Sequence, residues 1–317
     1  MTIPISSEEA LALLQTDGRE MYHLFFRAND VRLENRGDTV NLCGIVNAKS
    51  GMCTEDCKFC AQSAHNDVEN VACYKLMSTA DILEKAKISQ ENQASRFGIV
   101  TSGVAVESEA EVESLVSSIQ ALSSELTALP CASLGNVSRE TMTRLKDAGL
   151  TRYHCNIETA RSFYPQICST RPWEDAVNTI RIAKDLGLAT CCGGLVGLGE
   201  SLAQRVELLE QIRALNPDSV PLNFYYPVAG TRVDIERPIA PLECLKFIAV
   251  ARLMMPEKEI RVCGGREFNL GDLQSWSLLC GADGMMVGGY LTTRGRAVDD
   301  DLKMIADAGF RVAWHHK

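Results

Sequence analysis

The alternation of extended and helical segments is the feature that most constrains the fold of this chain. Short runs suited to β-strands recur along the sequence, and most are followed by a pattern typical of an amphipathic helix. A repeated strand–helix unit predicts a parallel sheet, because parallel strands need a crossover connection that is usually a helix. The predicted strands cover residues 40–46, 97–101, 131–134, 152–157, 189–195, 219–224, 260–263 and 284–287.

Five of the intervening helices have clear start signals. Ser78, Ser138 and Ser201 can cap a helix N-terminus, and Pro172 and Pro241 suit a first turn, where no backbone N–H donor is needed. These signals predict helices over residues 80–87, 140–148, 173–186, 202–215 and 242–255, preceded by N-terminal helices over 8–14 and 20–34.

Eight strand–helix units predict a closed α/β barrel of the (β/α)8 TIM type with an N-terminal helical extension. The alternative is an open doubly wound sheet, which normally carries a glycine-rich phosphate loop after its first strand. Here the first predicted strand is followed by a long cysteine-bearing loop over residues 47–64, which favours the barrel. We expect one domain over residues 1–317, with N-terminal helices at about 1–37, a barrel at about 38–290, and a C-terminal helix and tail at about 291–317.

Charge and cysteine content narrow the classes of function. A net charge of -9 and a pI of about 5.2 argue against a broad nucleic-acid footprint. No apolar run is long enough to span a bilayer, and residues 1–10 lack the pattern of a signal peptide. We therefore expect a cytoplasmic protein with no membrane or nucleic-acid partner. An odd number of cysteines, 13 in a long chain, then indicates metal or redox chemistry rather than a disulfide framework.

The loop after the first strand carries the strongest chemical signal. Cys53, Cys57 and Cys60 form a C-x3-C-x2-C array, and three neighbouring thiolates suit an iron–sulfur cubane or part of a zinc site. Structural zinc needs four ligands, whereas a cubane bound by three cysteines leaves one iron open. The alternative of one buried helix face is weakened by Gly51 and by the polar residues between the cysteines. We therefore favour an open-site cluster.

The cysteine array, with Phe59 before its last member, resembles the motif of the radical S-adenosylmethionine (radical SAM) superfamily. Wider stretches at residues 53–62, 193–200, 219–223, 249–256 and 291–293 resemble the biotin synthase family, and the similarity runs from about Glu8 to Phe310. The resemblance implies a sulfurtransferase that inserts sulfur into dethiobiotin by a 5′-deoxyadenosyl radical mechanism. No acid–base catalytic residue is expected, because an unactivated C–H bond leaves the chemistry to the cofactors.

The resemblance also implies which residues bind the cofactors and the substrate. The three loop cysteines would hold a [4Fe–4S] cluster whose open iron binds S-adenosylmethionine. The residues implied to contact S-adenosylmethionine are Phe59, Asn156, Glu158, Arg171, Gly194 and Gly197. The residues implied to bind dethiobiotin are Asn223, Thr292 and Thr293.

One part of the family pattern is altered in this chain. Many biotin synthases hold a [2Fe–2S] auxiliary cluster, the sulfur source, with three cysteines and one arginine. The arginine matches Arg261, but the third cysteine falls on Gly98, which cannot bind iron. We expect a rebuilt auxiliary cluster. Displacement of Arg261 from the iron would favour a larger cluster of about four irons, and Arg261 stays a further candidate ligand. Its thiolates would be drawn from Cys43, Cys131, Cys155, Cys191 and Cys263. The alternative is that these are ordinary buried cysteines.

Side-chain alternation along the strands predicts which cysteines face inward. It places Cys191 inside the barrel and Cys192 outside, and Cys155 inside with His154 outside. The remaining cysteines are interpreted as packing residues: Cys73, Cys168, Cys244 and Cys280.

The resemblance further implies a flavodoxin- or ferredoxin-like electron donor, iron–sulfur assembly machinery as a partner, and a homodimer. Two other functions stay open. One is another radical SAM barrel enzyme, of the hydrogenase-maturase or methylornithine-synthase type, and the other is an iron–sulfur carrier protein. Asn223, Thr292 and Thr293 favour the biotin branch, and a carrier would not need a closed barrel or the 193–200 stretch.

Overall fold

A parallel sheet forms the centre of the computed structural model, which describes residues 2–106, 108–235 and 238–314. The strands are β1 (Thr39–Lys49), β2 (Arg96–Thr101), β3 (Leu129–Ser133), β4 (Arg152–His154), β5 (Ala189–Cys191), β6 (Gly194–Val196), β7 (Ser219–Phe224), β8 (Glu259–Val262), β9 (Gly284–Met286) and β10 (Arg311–Val312). Because β1 pairs with β2 on one side and with β9 on the other, the sheet closes into a barrel. The predicted (β/α)8 barrel is confirmed, and the open doubly wound alternative is wrong.

Two places in the sheet differ from the prediction. The predicted strand over 189–195 is broken into β5 and β6, which together fill the fifth position of the barrel and both pair with β7. At the break, a Cβ on Gly193 would lie 1.9 Å from the carbonyl oxygen of Pro221, so the backbones approach as only glycine allows. Strand β10 is absent from the prediction because two residues show no alternation for a pattern to detect.

Helices surround the barrel. They are α1 (Ser7–Leu14), α2 (Gly18–Arg36), α3 (Thr79–Glu91), α4 (Glu109–Glu125), α5 (Arg139–Asp147), α6 (Trp173–Asp185), α7 (Leu202–Leu215), α8 (Pro241–Met254), α9 (Arg266–Leu270), α10 (Trp276–Leu279) and α11 (Val298–Asp307). The predicted helices are all present near their expected bounds. Helix α4 is missed, although Ser108 caps it and Val112, Leu115 and Ile119 form a buried helical stripe; its serine pairs weaken the helical propensity.

The N-terminal extension packs on the outside of the barrel, against α8. Ile5 N donates to Leu253 O at 3.1 Å, and Lys246 Nζ donates to Thr16 O at 3.0 Å. Within the described ranges, no helix combines the length and the apolar surface that crossing a bilayer requires. The last part of the predicted tail, residues 315–317, lies outside the described residues.

A buried carboxylate, that of Asp283, links several elements at the end of the barrel where β8 and β9 begin. Asp283 accepts hydrogen bonds from Ile260 N at 2.8 Å and Arg36 Nε at 2.7 Å, and it pairs with Arg252, which is fully buried. In a barrel of this class this end serves stability, while the opposite end carries the site.

Candidate functional site

The barrel encloses a cavity of about 460 Å³. Most of its lining lies at or beyond the carboxyl ends of the strands, as is usual for sites in this fold. The predicted cofactor and substrate residues that line it are Cys53, Cys57, Phe59, Cys60, Asn156, Glu158, Arg171, Asn223, Thr292 and Thr293. The predicted auxiliary residues that line it are Cys43, Cys131, Cys155, Cys191, Arg261 and Cys263.

The three loop cysteines open onto this cavity from the segment after β1. Backbone hydrogen bonds fix the loop: Cys53 N donates to Gln62 O at 3.0 Å, and Ala64 N donates to Cys53 O at 2.8 Å. Residues 51–64 contain no helix, so the alternative of a buried helix face is wrong. Burial raises the pKa of Cys60 to about 11, and a hydrogen bond with Cys168, together with burial, raises the pKa of Cys57. Thiols in this state ionise when a metal cation offsets the charge.

A second segment is clamped onto the cysteine loop. Asp56 accepts hydrogen bonds from Ser169 N at 2.7 Å and Ser169 Oγ at 2.6 Å, and Lys58 N donates to Ile167 O at 2.9 Å. The clamp brings Cys168 next to Cys57: the potential ligand atoms of Glu55, Cys57 and Cys168 lie within 4.8 Å of one another. Sequence reasoning treats Cys168 as a packing residue and misses this contact, which depends on residues more than a hundred positions away.

Two charged side chains and an amide share the cavity wall beside the loop. Asn156 Oδ1 accepts a hydrogen bond from Gly193 N at 3.1 Å, which fixes the amide orientation. Burial raises the pKa of Glu158, and Arg171 opposes that shift. Burial acts to lower the pKa of Arg171, but Tyr164 and Glu158 outweigh it and the guanidinium stays charged. Glu158 has a positive φ of 64°, a backbone conformation that is strained for a residue other than glycine.

The glycine run after β5 is shaped by neighbouring backbone. A Cβ on Gly194 would lie 2.6 Å from Glu158 O, and Gly197 has a φ of 92°. Glu200 fixes the turn, because its carboxylate accepts Gly197 N at 2.8 Å and Leu198 N at 2.7 Å. Neither Gly194 nor Gly197 is among the described residues that line the cavity. Backbone geometry alone therefore explains why glycine occupies these two positions. Their contact with a cofactor stays a prediction.

Four of the predicted auxiliary cysteines converge deeper in the barrel. Cys43 comes from β1, Cys131 from β3, Cys191 from the end of β5, and Cys263 directly follows β8. Burial raises the pKa of Cys43, and the neighbouring Cys131 and Cys191 act on the same thiol. Gly98 lies beside Cys131 in the sheet, where it offers no ligand. The four thiols therefore form one set that a metal cluster could bind.

Of the two directions predicted at the end of β4, only that of Cys155 agrees with the structure. His154 lines the cavity, so the prediction that it faces outward is wrong, and burial lowers its pKa to about 4. Cys155 also lines the cavity, but its Sγ contacts Asn136 Oδ1 at 3.9 Å, and the charges that act on it are those of Arg171 and Glu158. Strand β4 ends at His154, so simple alternation no longer applies at the next residue.

The neighbouring pair on β5 follows its predicted directions. Cys191 lines the cavity, whereas Cys192 is fully buried in the apolar core. The two thiols therefore provide a natural comparison between an inward and an outward position.

Buried charges that sequence reasoning misses surround the auxiliary cysteines. Glu259 accepts a hydrogen bond from Ser219 Oγ at 2.8 Å and pairs with Arg152 at 3.3 Å and with Arg261. Arg96 Nη1 lies 3.9 Å from Cys131 Sγ. Arg152 gave the available signal, because it lies inside a predicted strand and the strands of a closed barrel hide their charges from water.

The predicted substrate residues line the cavity at the end of β7 and in the loop after β9. Asn223, at the end of β7, donates from Nδ2 to Gly194 O at 3.1 Å and accepts Gly264 N at 2.9 Å. Thr292 and Thr293 lie in the loop after β9 and are exposed to solvent. The loop is tied to the barrel because Asn47 Nδ2 donates to Leu291 O at 2.9 Å.

Comparisons with known proteins agree with this geometry. The family model of the radical SAM superfamily matches residues 49–212, and that of the Biotin and Thiamin Synthesis associated domain matches residues 221–311. A (β/α)8 barrel with a three-cysteine loop over its cavity defines the radical SAM class.

Relatives identify the family within that class. The chain is 48% identical over 308 residues to biotin synthase of Citrifermentans bemidjiense. The match covers 97% of this chain and 93% of that protein. It is 48% identical over 309 residues to biotin synthase of Trichlorobacter lovleyi, covering 98% and 92%. The chain belongs to the biotin synthase family.

Solved structures show the same fold at low identity. A methylornithine synthase superposes with a TM-score of 0.85 at 21% identity, covering 98% of this chain and 95% of that one. An FeFe-hydrogenase maturase from Carboxydothermus hydrogenoformans gives a TM-score of 0.83 at 19% identity, covering 99% and 77%.

Proposed function

We propose that this chain inserts sulfur into dethiobiotin to form biotin as a radical SAM sulfurtransferase. The observation that carries the proposal is the convergence on one cavity of three loop cysteines, four deeper cysteines and the substrate residues. The high identity to biotin synthases over nearly the whole chain supports it. The hydrogenase-maturase and methylornithine-synthase alternatives rest on similarity of fold alone.

The donor set fits a [4Fe–4S] cluster and S-adenosylmethionine. Cys53, Cys57 and Cys60 would hold the cluster, since soft thiolates are the usual ligands of iron–sulfur centres. When bound, the cluster and S-adenosylmethionine supply hydrogen-atom abstraction from C–H bonds that acids and bases cannot activate. The closed barrel wall keeps water and competing hydrogen donors away from that chemistry.

The cavity wall supplies the groups that would orient S-adenosylmethionine. Phe59 offers a flat apolar face suited to adenine. Asn156 and Glu158 offer acceptors to the ribose hydroxyls and amino group, and Arg171 offers a cation to the carboxylate. These roles belong to the proposal, as do those of Gly194 and Gly197 in shaping the adjacent turn.

The residues after β7 and β9 would orient dethiobiotin. The Asn223 amide is fixed by bonds to two strands, and its orientation suits a ureido ring, which both donates and accepts hydrogen bonds. Thr292 and Thr293 can donate hydroxyl or backbone N–H groups to a carboxylate at the mouth.

The deeper cysteines support a rebuilt auxiliary cluster. We propose that Cys43, Cys131, Cys191 and Cys263 bind it as thiolates, a set of four that can hold a cluster of about four irons. Cys155 stays a candidate, although its thiol faces Asn136. The residues fit such a group in one further respect: a buried donor on the nearby Arg152, its Nε, has no partner among the described residues.

Partners complete the proposal. A flavodoxin- or ferredoxin-like donor would supply electrons, and iron–sulfur assembly machinery would rebuild the auxiliary cluster, in the cytoplasm. A homodimer is supported by exposed apolar side chains on the N-terminal extension, where Phe26 is 71% and Tyr22 is 54% exposed. Light scattering of the purified protein tests the dimer.

Product analysis tests the function. The anaerobically reconstituted protein is reduced with S-adenosylmethionine and dethiobiotin. We expect 5′-deoxyadenosine and biotin together. Deoxyadenosine without biotin would indicate another radical SAM enzyme, and neither product would indicate an iron–sulfur carrier.

A matched pair of variants tests the auxiliary site. Both are made in a background that lacks Cys53, Cys57 and Cys60, so that iron reports the deeper site alone. Cys191→Ala is expected to lose most of the iron and sulfide, because its thiol lines the cavity. Cys192→Ala is expected to keep both, because its thiol lies in the outer core. Equal iron in the two variants would contradict the assignment.

A further inference from the structure

Three arginines lie near the auxiliary cysteines. Arg96 Nη1 lies 3.9 Å from Cys131 Sγ and donates to Thr151 Oγ1 at 3.2 Å, whereas Arg152 and Arg261 both pair with Glu259 and differ in their other hydrogen bonds. Arg261 is engaged at both terminal nitrogens: Nη1 donates to Asn41 O and Met285 O, each at 3.2 Å, and Nη2 pairs with Glu259. Only 2% of its surface is exposed. To bind iron, Arg261 would have to leave a buried carboxylate and the backbone of two strands.

Glu259 is the residue that sets this arrangement. Its carboxylate is buried and accepts hydrogen bonds from Ser219 on one side and from Arg152 and Arg261 on the other. Removing either arginine would leave the carboxylate with fewer cations in a region closed to water. Glu259 therefore retains Arg261 as a charged guanidinium, a form with no lone pair to offer to iron.

Arg152 is less completely engaged. It lies on β4, 7% exposed, and Nη1 makes one hydrogen bond to Glu259 at 3.3 Å. Its Nε is buried and has no partner among the described residues. Arg152 is among the residues that line the cavity, and Cys131 and Cys191 are among the charges that act on its guanidinium. A buried donor without an acceptor is costly, so this position calls for an acceptor inside the cavity.

We propose that Arg152, rather than Arg261, is the arginine that contacts the auxiliary iron–sulfur cluster: its Nε donates a hydrogen bond to a cluster sulfur, while Glu259 holds Arg261 away from iron. This inference rests on the proposed auxiliary site. The hydrogen bond and the positive charge stabilise the electron-rich sulfur atoms of a thiolate-bound cluster.

Pulsed electron paramagnetic resonance can separate the two arginines. The protein is labelled with [15N]arginine in the background that lacks Cys53, Cys57 and Cys60, reconstituted with iron and sulfide, and reduced. We expect a weak 15N coupling, typical of a hydrogen bond. It should disappear in Arg152→Lys and persist in Arg261→Lys and in the control Arg96→Lys, each of which keeps the charge.

The opposite results overturn the inference. A strong coupling that disappears in Arg261→Lys would make Arg261 an iron ligand, and a coupling lost only in Arg96→Lys would assign the contact to Arg96. An absent 15N coupling on an intact cluster would also overturn it. If Arg152→Lys does not fold, Arg261→Lys and Arg96→Lys decide together, since persistence of the coupling in both supports the proposal and its loss in either refutes it. A parent protein with no iron would instead refute the auxiliary site itself.

Discussion

The buried carboxylate of Glu200 gives the sharpest stability prediction. Its side chain is 1% exposed, pairs with Arg205 Nε at 2.7 Å, and accepts the backbone N–H groups of Gly197 and Leu198. Removing one partner of a buried, hydrogen-bonded charge pair costs about 3–5 kcal/mol. We therefore expect Glu200→Ala to lower the free energy of unfolding by about 4 kcal/mol, which is a large share of the total for a typical domain.

The assay is equilibrium denaturation of the cluster-free protein, with Glu243→Gln as the control. Glu243 reaches the same Arg205, but at 3.4 Å and with 39% of its side chain exposed. A partly exposed pair of this kind contributes less than about 1 kcal/mol. The reasoning is refuted if Glu200→Ala and Glu243→Gln have similar unfolding midpoints, since burial would then not decide the cost.

Three further outcomes are expected. Asp283→Asn should lower the free energy of unfolding by about 3–5 kcal/mol, because the fully buried Arg252 loses its anionic partner. The control Asp185→Asn, in an exposed ion pair, should lower it by less than about 1 kcal/mol. Similar denaturation midpoints for the two variants would contradict this. Because burial lowers the pKa of His154 to about 4, the unfolded state binds the proton more tightly, so stability of the cluster-free protein should fall as pH drops from about 6.5 toward 4. His154→Asn should flatten that part of the stability–pH curve, and an unchanged slope would exclude His154 as its source. With the pKa of Cys60 raised to about 11, about one Cys60 thiol in a thousand is ionised at pH 8. Alkylation of Cys60 in the cluster-free protein should therefore be slower than alkylation of glutathione. An equal rate, measured by mass spectrometry, would refute the burial argument.

The barrel could be predicted from the sequence because its signals are local. Each helix start at Ser78, Ser138 or Ser201 is set by a cap within one turn, and each strand by a short run of residues. The break between β5 and β6 could not be predicted in this way. It depends on the close approach of Gly193 to Pro221 on another strand.

The site was predictable to the extent that a motif or a resemblance names its residues. The cysteine array is contiguous, so its place after β1 follows from the strand order. The charge cluster of Arg152, Glu259 and Arg261 is different, because Arg152 and Glu259 are 107 positions apart and meet only when the barrel closes. The same holds for Cys168 beside Cys57. Side-chain alternation also gave the wrong direction for His154, because the regular strand ends there and both His154 and Cys155 line the cavity.

Electron–nuclear double resonance on the reduced protein tests the central claim most directly. The variant that lacks the deeper cysteines but keeps Cys53, Cys57 and Cys60 is reconstituted without oxygen and mixed with S-adenosylmethionine labelled at its amino and carboxylate groups. The account predicts a [4Fe–4S] signal with couplings to both labels, which means that one iron binds the methionine end. A site filled with zinc, or a four-iron signal that S-adenosylmethionine leaves unchanged, would contradict it.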